Sequence, residues 1–510
     1  WARECAWARE CAWARECARS RSCLPVYVSP SVIVSGSENT GNVFARGRPT
    51  PGRMGETFVV VGGDAAGMSA ASKAKREDPD LDVVVFEKGE YVSYAACGMP
   101  YYVKGEIESI DDLVQITPEQ FREDRNIDLR THHEVVDVDA DAMEVTVEPG
   151  PRAAAEETFT QAYDDLLIAT GASAIEPPFP GIDLDGVFTI HALDEADAIN
   201  DYLAEVGAET AAIVGGGYVG IEMAEALDGR GIDVALFEML PHVLQPFGES
   251  VATVMEDHLV EQGVDLHLDT AVEGFSGHYE GGVKAVDLED GEQVPADVVI
   301  VGVGVAPNSD LADDAGIEVG ETGAVATDDY GRTSVENVWS AGDCAEATHV
   351  VTGEPDHVPL ALTANRAGRA IGESVATGEL QETGGMAGTA IVKGFDLGAS
   401  RTGIVDEERA AEAGFDPVAV EIQTESRADY YPGATQLTVK LVADGGSGRV
   451  LGGSLVGREG VKRIDTIASA LHAGMSVEEL ERLDLAYAPP FSPTWDPVLT
   501  AAKVLGGKLE

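Results

Sequence analysis

TAAIVGGGYVGIEMAEALDGRGIDVALFE, residues 210–238, reads as one continuous unit. An apolar run suited to a buried strand leads into Gly215, Gly217 and Gly220 in full GxGxxG spacing. A helix is expected over 218–229, and a second strand over 232–238 ends on Glu238. In such a unit the glycines serve a tight turn, the close approach of a pyrophosphate and helix–strand packing, while the strand-end acid meets a ribose. The helix start offers free N–H groups and a positive dipole end to phosphate. Glu238 suits a free ribose 2′-hydroxyl and would repel a 2′-phosphate. No Arg or Lys follows it through Gly248, so NADH is expected over NADPH.

The same signal occurs earlier in a less complete form. TFVVVGGDAAGMSAASKAKRE (57–77) gives strand, glycine turn and helix, and LDVVVFEKG (81–89) gives a second strand ending in Glu87. Gly62 and Gly67 hold the outer glycine positions, and Asp64 stands in the middle one. Two dinucleotide units in one chain suggest a bound flavin, FAD, beside a visiting nicotinamide. YDDLLIATGASAIEPPFPG (163–181) and ADVVIVGVGVAPNSDL (296–311) read as strands leading into matched domain crossings. VWSAGDCAE (338–346) places Asp343 after a strand, where a carboxylate can bind the flavin's ribityl hydroxyls.

The 510 residues are enough for two to four domains with full cores. With 90 Asp+Glu against 34 Lys+Arg, the formal net charge is −56, and the acids are spread along the chain. Frequent, periodic apolar segments argue against disorder. A nucleic-acid partner is disfavoured because phosphate binding needs a basic surface. No apolar run reaches the length of a bilayer span, so no membrane association is expected. Charge this far from zero is a self-repulsion that concentrated salt screens, which points to a halophile's cytoplasmic protein.

Residues 1–53 look foreign to the rest. WARECA repeats three times from Trp1, Trp7 and Trp13, and four of the six cysteines (Cys5, Cys11, Cys17, Cys23) lie here. The segment has eight Arg, four Glu and no Lys, and its residues 29–53 are rich in Ser, Gly and Pro. A signal peptide fits poorly, because Pro25 and Pro30 interrupt its would-be apolar core. Met54 is therefore read as the start, with 1–53 a non-native or disordered extension.

From Met54 onward the chain resembles the single-cysteine branch of the FAD-dependent pyridine nucleotide-disulfide oxidoreductases, and within it the coenzyme A-disulfide reductases. The resemblance rests on ordered motifs: GGDAAG, SYAACGMPYY, IATGA, GGGYVGIEMAEAL, SAGDCAE, ADYYPGAT, GREGVKRID and YAPPFSPTWDP. It implies that Cys97 is the redox cysteine over the flavin and that Glu87, Lys88, Ser93, Thr170, Gly171 and Asp343 are flavin contacts. It assigns Gly215, Gly217, Gly220 and Glu238 to the NAD site. It makes Tyr430 and Tyr487 the tyrosines that reach the partner subunit's active site, and so implies a homodimer. One departure is EGVKRID (459–465), a residue shorter than the family's usual EGVDKRID.

The expected fold class is α/β, with two Rossmann-like dinucleotide-binding domains (FAD and NAD) and a C-terminal α+β dimerisation domain. The boundaries are a first FAD-binding segment at 54–171, an NAD-binding domain at 172–300, a second FAD-binding segment at 301–379 and a dimerisation domain at 380–510. No metal site is expected.

Cys97 invites a redox reading. Gly98 and Pro100 suit a helix start, where the dipole and free N–H groups favour a thiolate. There is no CxxxxC, so an internal disulfide is replaced by a mixed disulfide, a persulfide or a sulfenic acid on Cys97. The histidine that glutathione-reductase-like relatives use as acid is also absent, which leaves a tyrosine hydroxyl as proton donor. The expected cycle carries electrons from NADH through FAD to a low-molecular-weight disulfide on Cys97, with CoA disulfide the first candidate. Tyr487, assisted by Tyr430, protonates the leaving thiolate. Taken without the resemblance, each tyrosine reads as a packed aromatic with a satisfied hydroxyl. Cys344 reads as a small buried hydrophobe. Lys73, Lys75 and Arg76 are a sparse basic cluster that could meet CoA's phosphates.

Three rivals stay open. An NADH oxidase or peroxidase would cycle Cys97 through sulfenic acid, but Ala65 stands where those relatives carry a histidine. A persulfide or polysulfide reductase often carries a fused rhodanese domain, for which the chain leaves no room. A non-catalytic flavoprotein that senses NADH or passes electrons to a protein partner would not need Cys97.

Overall fold

The computed structural model describes residues 55–153, 157–278 and 281–509. The WARECA repeats and the expectation attached to residues 1–53 lie outside the described residues.

The first glycine unit forms as its pattern requires. Strand β1 (Thr57–Val61) feeds helix α1 (Ala65–Glu77), which returns to β2 (Asp82–Glu87) in parallel register, Thr57 opposite Asp82. Phe58, Val59 and Val60 are fully buried, because a parallel strand is covered on both faces. The complete sheet runs Val338–Ser340, Asp165–Ile168, β1, β2, Asp128–Thr131. The strand order reverses beside β1, and open α/β sheets bind ligands at such a switch point. A short turn, Ala96–Gly98, and helix α2 (Met99–Lys104) follow β2.

The second unit repeats the plan. Strand β3 (Thr210–Val214), helix α3 (Tyr218–Asp228) and strand β4 (Asp233–Phe237) sit in the parallel order Asp265–His267, β4, β3, Val298–Val301, Val187–Phe188. Between the two sheets run the crossings read from the sequence. They pair with each other as an antiparallel ribbon, Ala172–Ala174 against Val305–Pro307. Asn308 and Thr170 lock the ribbon: Thr170 Oγ1 donates to Asn308 O at 2.6 Å, and Asn308 Nδ2 to Thr170 O at 2.9 Å.

Helix α4 (Ala361–Thr377) lies against α1 with almost no side chain between the two backbones. A Cβ on Gly368 would stand 2.1 Å from Ala66 O, and one on Gly372 2.2 Å from Ala70 O. The last stretch of the chain is a five-stranded antiparallel sheet, Ala390–Gly394, Leu397–Gly403, Val450–Gly457, Gln436–Asp444, Pro417–Glu425. Ile467, Leu471, Val498 and Leu505, from helices Ile464–His472 and Pro497–Leu509, join its strands in one apolar core. The fold class is thus the expected one: two doubly wound dinucleotide-type units and a C-terminal α+β unit.

Candidate active site

The two glycine turns are geometric copies. Gly62 N donates to Phe86 O at 2.9 Å, and Gly215 N to Phe237 O at 2.8 Å. Both glycines have φ +107°. A Cβ on Gly62 would stand 2.1 Å from Ala169 O, and one on Gly215 2.4 Å from Gly302 O. The third glycines are tighter still: a Cβ on Gly67 would meet Gly62 O at 1.9 Å, and one on Gly220 would meet Gly215 O at 2.0 Å. The middle position differs. Asp64 (φ −107°) and Gly217 (φ −78°) both have ordinary backbone, so no positive φ demands glycine there. That is why the imperfect first motif still folds as the second does.

The strand-end acids also match. Glu87 accepts from Gly63 N at 2.7 Å and Gly89 N at 2.6 Å, and Glu238 from Gly216 N at 2.7 Å and Leu240 N at 2.8 Å. Each carboxylate therefore holds its own turn in shape. The cradles fit the groups the motifs imply. A Cβ on Gly217 would meet nothing within 4 Å, which leaves an open approach to the start of α3. Asp343, half-buried at the end of Val338–Ser340, has no hydrogen bond to its carboxyl among the described residues; His357 Nε2 bonds only its backbone O, at 2.8 Å. Burial raises the Asp343 pKa, against the nearby His191 and His357, which lower it. An acid in that state suits a polyol partner. Ser93 adopts φ +49° and its N–H reaches Gly63 O at 3.1 Å, placing it beside the first turn. Gly171 has φ +70° at the crossing, and Lys88 is exposed.

Cys97 is exposed and lies in the turn just before α2. The expected lowering of its pKa is not what the surroundings produce. Burial of the thiol by the surrounding protein pushes it up first, then Glu222 of α3; Asp343 and Asp64 add to the rise, and only its own backbone N–H opposes. A helix of six residues is a weak dipole against three carboxyl groups. Glu222 itself is pushed up to about 7, by burial first and then by Glu225, with Lys393 opposing. The sequence reading missed Glu222. The signal was there: an acid inside an otherwise apolar stretch of the GIEMAEAL helix.

Tyr430 and Tyr487 are brought together, hydroxyl to hydroxyl at 3.3 Å, on loops of the C-terminal unit. Both are exposed, and no hydrogen bond joins either to Cys97 among the described residues. Hydrogen bonds from Thr494 and then Tyr430 hold the Tyr487 pKa below the usual phenol value, while Tyr430 is raised, first by its bond to Tyr487. Arg463, within the shortened EGVKRID stretch, ties both loops down. Its Nε meets Asp496 Oδ2 at 2.7 Å, and its Nη2 donates to Phe491 O at 2.7 Å and Ser426 O at 3.0 Å.

The basic cluster needs correction. Lys75 is buried and donates to Pro79 O at 2.8 Å and Leu81 O at 2.9 Å, which makes it structural. Lys73 is paired with Glu77 and, at 2.8 Å, with Glu373. Arg76 remains, and it is joined by Arg369 from α4 and by Arg125; burial first and then these two like charges lower its pKa. Arg125 Nη1 also donates to Ser72 Oγ at 2.7 Å. Only the tertiary pairing of three helices assembles this trio.

Among the described residues no group of acids, histidines and cysteines could hold a metal ion, and no helix is long and apolar enough to cross a membrane. The chain matches the family pattern of the pyridine nucleotide-disulphide oxidoreductases over residues 56–368 and that family's dimerisation domain over 389–497. A "NAD(P)H coenzyme A polysulfide/persulfide reductase" of Pyrococcus horikoshii is 40% identical over 453 residues, covering 89% of this chain and 99% of the relative. An "NADH oxidase" of Methanocaldococcus jannaschii is 34% identical, covering 87% and 97%. A "coenzyme A disulfide reductase" of Staphylococcus haemolyticus is 32% identical, covering 85% and 96%. Among solved structures, a NAD-dependent persulfide reductase from A. fulgidus superposes with a TM-score of 0.84 at 40% identity, over 89% of this chain and 83% of that one.

Proposed function

Because the chain belongs to the pyridine nucleotide-disulphide oxidoreductases, flavoproteins that use FAD and NAD(P)H, we propose that it reduces a small phosphate-bearing disulfide, CoA disulfide, through Cys97. One observation carries the substrate class: in a chain of net charge −56, Arg125, bonded to Ser72 of α1, and Arg369 of α4 both act on Arg76 of α1, so three like charges line this helix. Asp64, at the near end of α1, is among the charges that Cys97 feels. Asp64 to Arg76 spans about 18 Å of helix axis at 1.5 Å per residue. A CoA molecule with its sulfur at Cys97 and its phosphates on the arginines has a pantetheine arm suited to such a span.

The flavin, when bound, supplies two-electron exchange between nicotinamide and sulfur. Glu87, Ser93, Thr170, Gly171, Asp343 and the Gly62–Gly67 turn would hold it, with Lys88 at the edge; Gly215, Gly217, Gly220 and Glu238 would hold the nicotinamide cofactor. The Glu238 carboxylate and the lack of a basic residue after it favour NADH. The Cys97 thiolate attacks one sulfur of the disulfide, a Cys97–S–S–R bond forms, and RS⁻ leaves. Tyr487 of a second copy, its hydroxyl made more acidic by Thr494 and Tyr430, protonates that thiolate. Two electrons from NADH then cleave the mixed disulfide, returning Cys97 and a second thiol. This assignment needs a homodimer, and the exposed aromatics around the tyrosines, Tyr431, Phe491 and Trp495, suit a second copy as their cover.

A second reading is reduction of a CoA persulfide or polysulfide. It draws support from the 40% identical Pyrococcus relative, of which this chain covers 99%, so that relative has little length for an extra domain. The sequence argument from a missing rhodanese domain therefore carries little weight. The test is anaerobic NADH consumption in molar KCl with one acceptor at a time. Two thiols formed per NADH with CoA disulfide, lost in Cys97→Ser while FAD stays bound, supports the first reading. Sulfide release from polysulfide at a higher kcat/KM supports the second. Turnover only once air is admitted would sink both and favour an oxidase.

A further inference from the structure

Arg401 lies on strand Leu397–Gly403 of the C-terminal sheet and is only 8% exposed. Its Nε donates to the hydroxyl of Tyr218 at 3.3 Å. Neither of its Nη groups has a hydrogen bond or ion pair among the described residues. A guanidinium stays charged and carries five donors, so burying one with a single bond made is costly unless another molecule supplies acceptors. Other arginines of the C-terminal unit are engaged. Arg409 pairs with Asp356 at 2.6 Å, and Arg449 donates to Val350 O at 2.8 Å and Val351 O at 3.0 Å.

Tyr218 is the first residue of α3, the helix whose start is open to a dinucleotide's phosphates. Its ring meets buried Phe247 edge-on, with centroids 5.5 Å apart. On the other side, a Cβ on Gly388 would lie 3.7 Å from both Nη atoms of Arg401 and 3.7 Å from Val358 Cγ2. Val358 follows His357, whose Nε2 bonds Asp343 O at 2.8 Å. The unpartnered edge of the guanidinium therefore lies between the start of α3 and the segment that lines the flavin cradle. Glu238 marks the adenosine end of the dinucleotide site. The opposite end, which gives the hydride, must run from the start of α3 toward the flavin, and Arg401 stands on that side.

We propose that Arg401 is a binding residue for the nicotinamide half of the dinucleotide, its Nη groups donating to the carboxamide oxygen while Tyr218 holds the guanidinium in place. This rests on the dinucleotide site and not on Cys97 or the identity of the disulfide.

The test uses the FAD-loaded protein and two ligands that pass no electrons. One is 1,4,5,6-tetrahydro-NAD, which keeps the carboxamide on a neutral ring; the other is ADP-ribose, which lacks the nicotinamide. Their dissociation constants are read by calorimetric titration in molar KCl. Arg401→Met should weaken tetrahydro-NAD by about ten- to a hundredfold, the worth of a hydrogen bond from a charged group, and change ADP-ribose by less than about twofold. Arg401→Lys keeps the charge but loses the planar fork, so it should fall between, and it carries the same comparison if Arg401→Met does not fold. The Tm of the dinucleotide-free protein should hold or rise in Arg401→Met, because an unpaired buried charge has gone. Equal weakening of both ligands, or of neither, overturns the inference. So does a lower Tm, loss of FAD or a shift to monomer without the selective loss of tetrahydro-NAD, since each would give the guanidinium a different partner. Because neither ligand passes electrons, the outcome is separate from that of the Cys97→Ser test, which addresses the disulfide reading.

Discussion

At the scale of single residues, Tyr487 is better prepared as an acid than an isolated phenol, because Thr494 and Tyr430 stabilise its oxygen. General-acid catalysis by a placed group is worth roughly 10²–10⁴ in rate. Tyr487→Phe should therefore lower kcat on CoA disulfide by about a hundredfold or more with KM nearly unchanged and FAD retained. Tyr430→Phe should cost less, about tenfold. Steady-state kinetics on both variants checks this, and a KM effect alone would return the pair to a packing role. Asp64 gives a pH prediction. Burial chiefly, with Glu87 and Asp343 adding, pushes its carboxyl up to about 7, against hydrogen bonds from Tyr94 and Ala65 that lower it. Its folded value lies above its unfolded one, so the protonated form favours folding. That contribution is present below about pH 4 and lost as pH rises through about 7. Asp64→Asn, neutral throughout, should narrow the Tm gap between pH 5.5 and pH 8 by a few degrees, measured by calorimetry at fixed salt.

At the scale of elements, the α1–α4 contact leaves no room for a side chain. Gly368→Ala would drive a Cβ into Ala66 O at 2.1 Å, backbone that cannot swing aside. Overpacking of this kind costs about 1–3 kcal/mol, occasionally more. Since α1 carries the first glycine turn, the expected result is a lower Tm together with released FAD, read by flavin fluorescence. In the C-terminal unit, Arg463 fastens the two tyrosine loops through Asp496, Phe491 and Ser426. Arg463→Met should lower kcat as Tyr487→Phe does, while leaving thiol alkylation of Cys97 as in the wild type. The EGVKRID stretch, a residue shorter than expected, is accommodated by Gly460 at φ +93° and a tight turn over Val461–Arg463.

At the scale of the whole molecule, charge and association dominate. A net of −56 repels itself across the surface, and the screening length falls from about 10 Å at 0.1 M salt to about 3 Å at 1 M. We propose that the protein works in a salt-rich cytoplasm. The expected outcome is a Tm that climbs by many degrees between 0.1 and 1 M KCl and then levels off; a flat response would make the acidity mere solubilisation. Phe491 and Trp495 are 77% and 55% exposed beside the tyrosine pair. Phe491→Asp with Trp495→Asp should shift the protein to monomer in size-exclusion chromatography and abolish disulfide reduction while NADH still reduces the flavin.

Much of this was legible in the chain alone. Strand, turn, helix and acid are consecutive in sequence, so periodicity and glycine spacing reveal both dinucleotide units, and the turn accepts even Asp64 because its position needs no positive φ. Asp343 and the crossings in 163–181 and 296–311 could be picked out for the same reason, each following a local strand; Cys97, ten residues past Glu87, was marked instead by the Gly98 and Pro100 after it and by the family resemblance. What lay beyond sequence was everything that depends on residues far apart in the chain. Arg125 and Arg369 join Arg76 only because three helices pack; Lys75 leaves the cluster because its ammonium turns inward to Pro79 and Leu81. The thiol's electrostatics reversed for the same cause. A local dipole favours the thiolate, but burial by the surrounding protein and then the carboxyls of Glu222, Asp343 and Asp64 are set by tertiary approach, and together they outweigh six residues of helix.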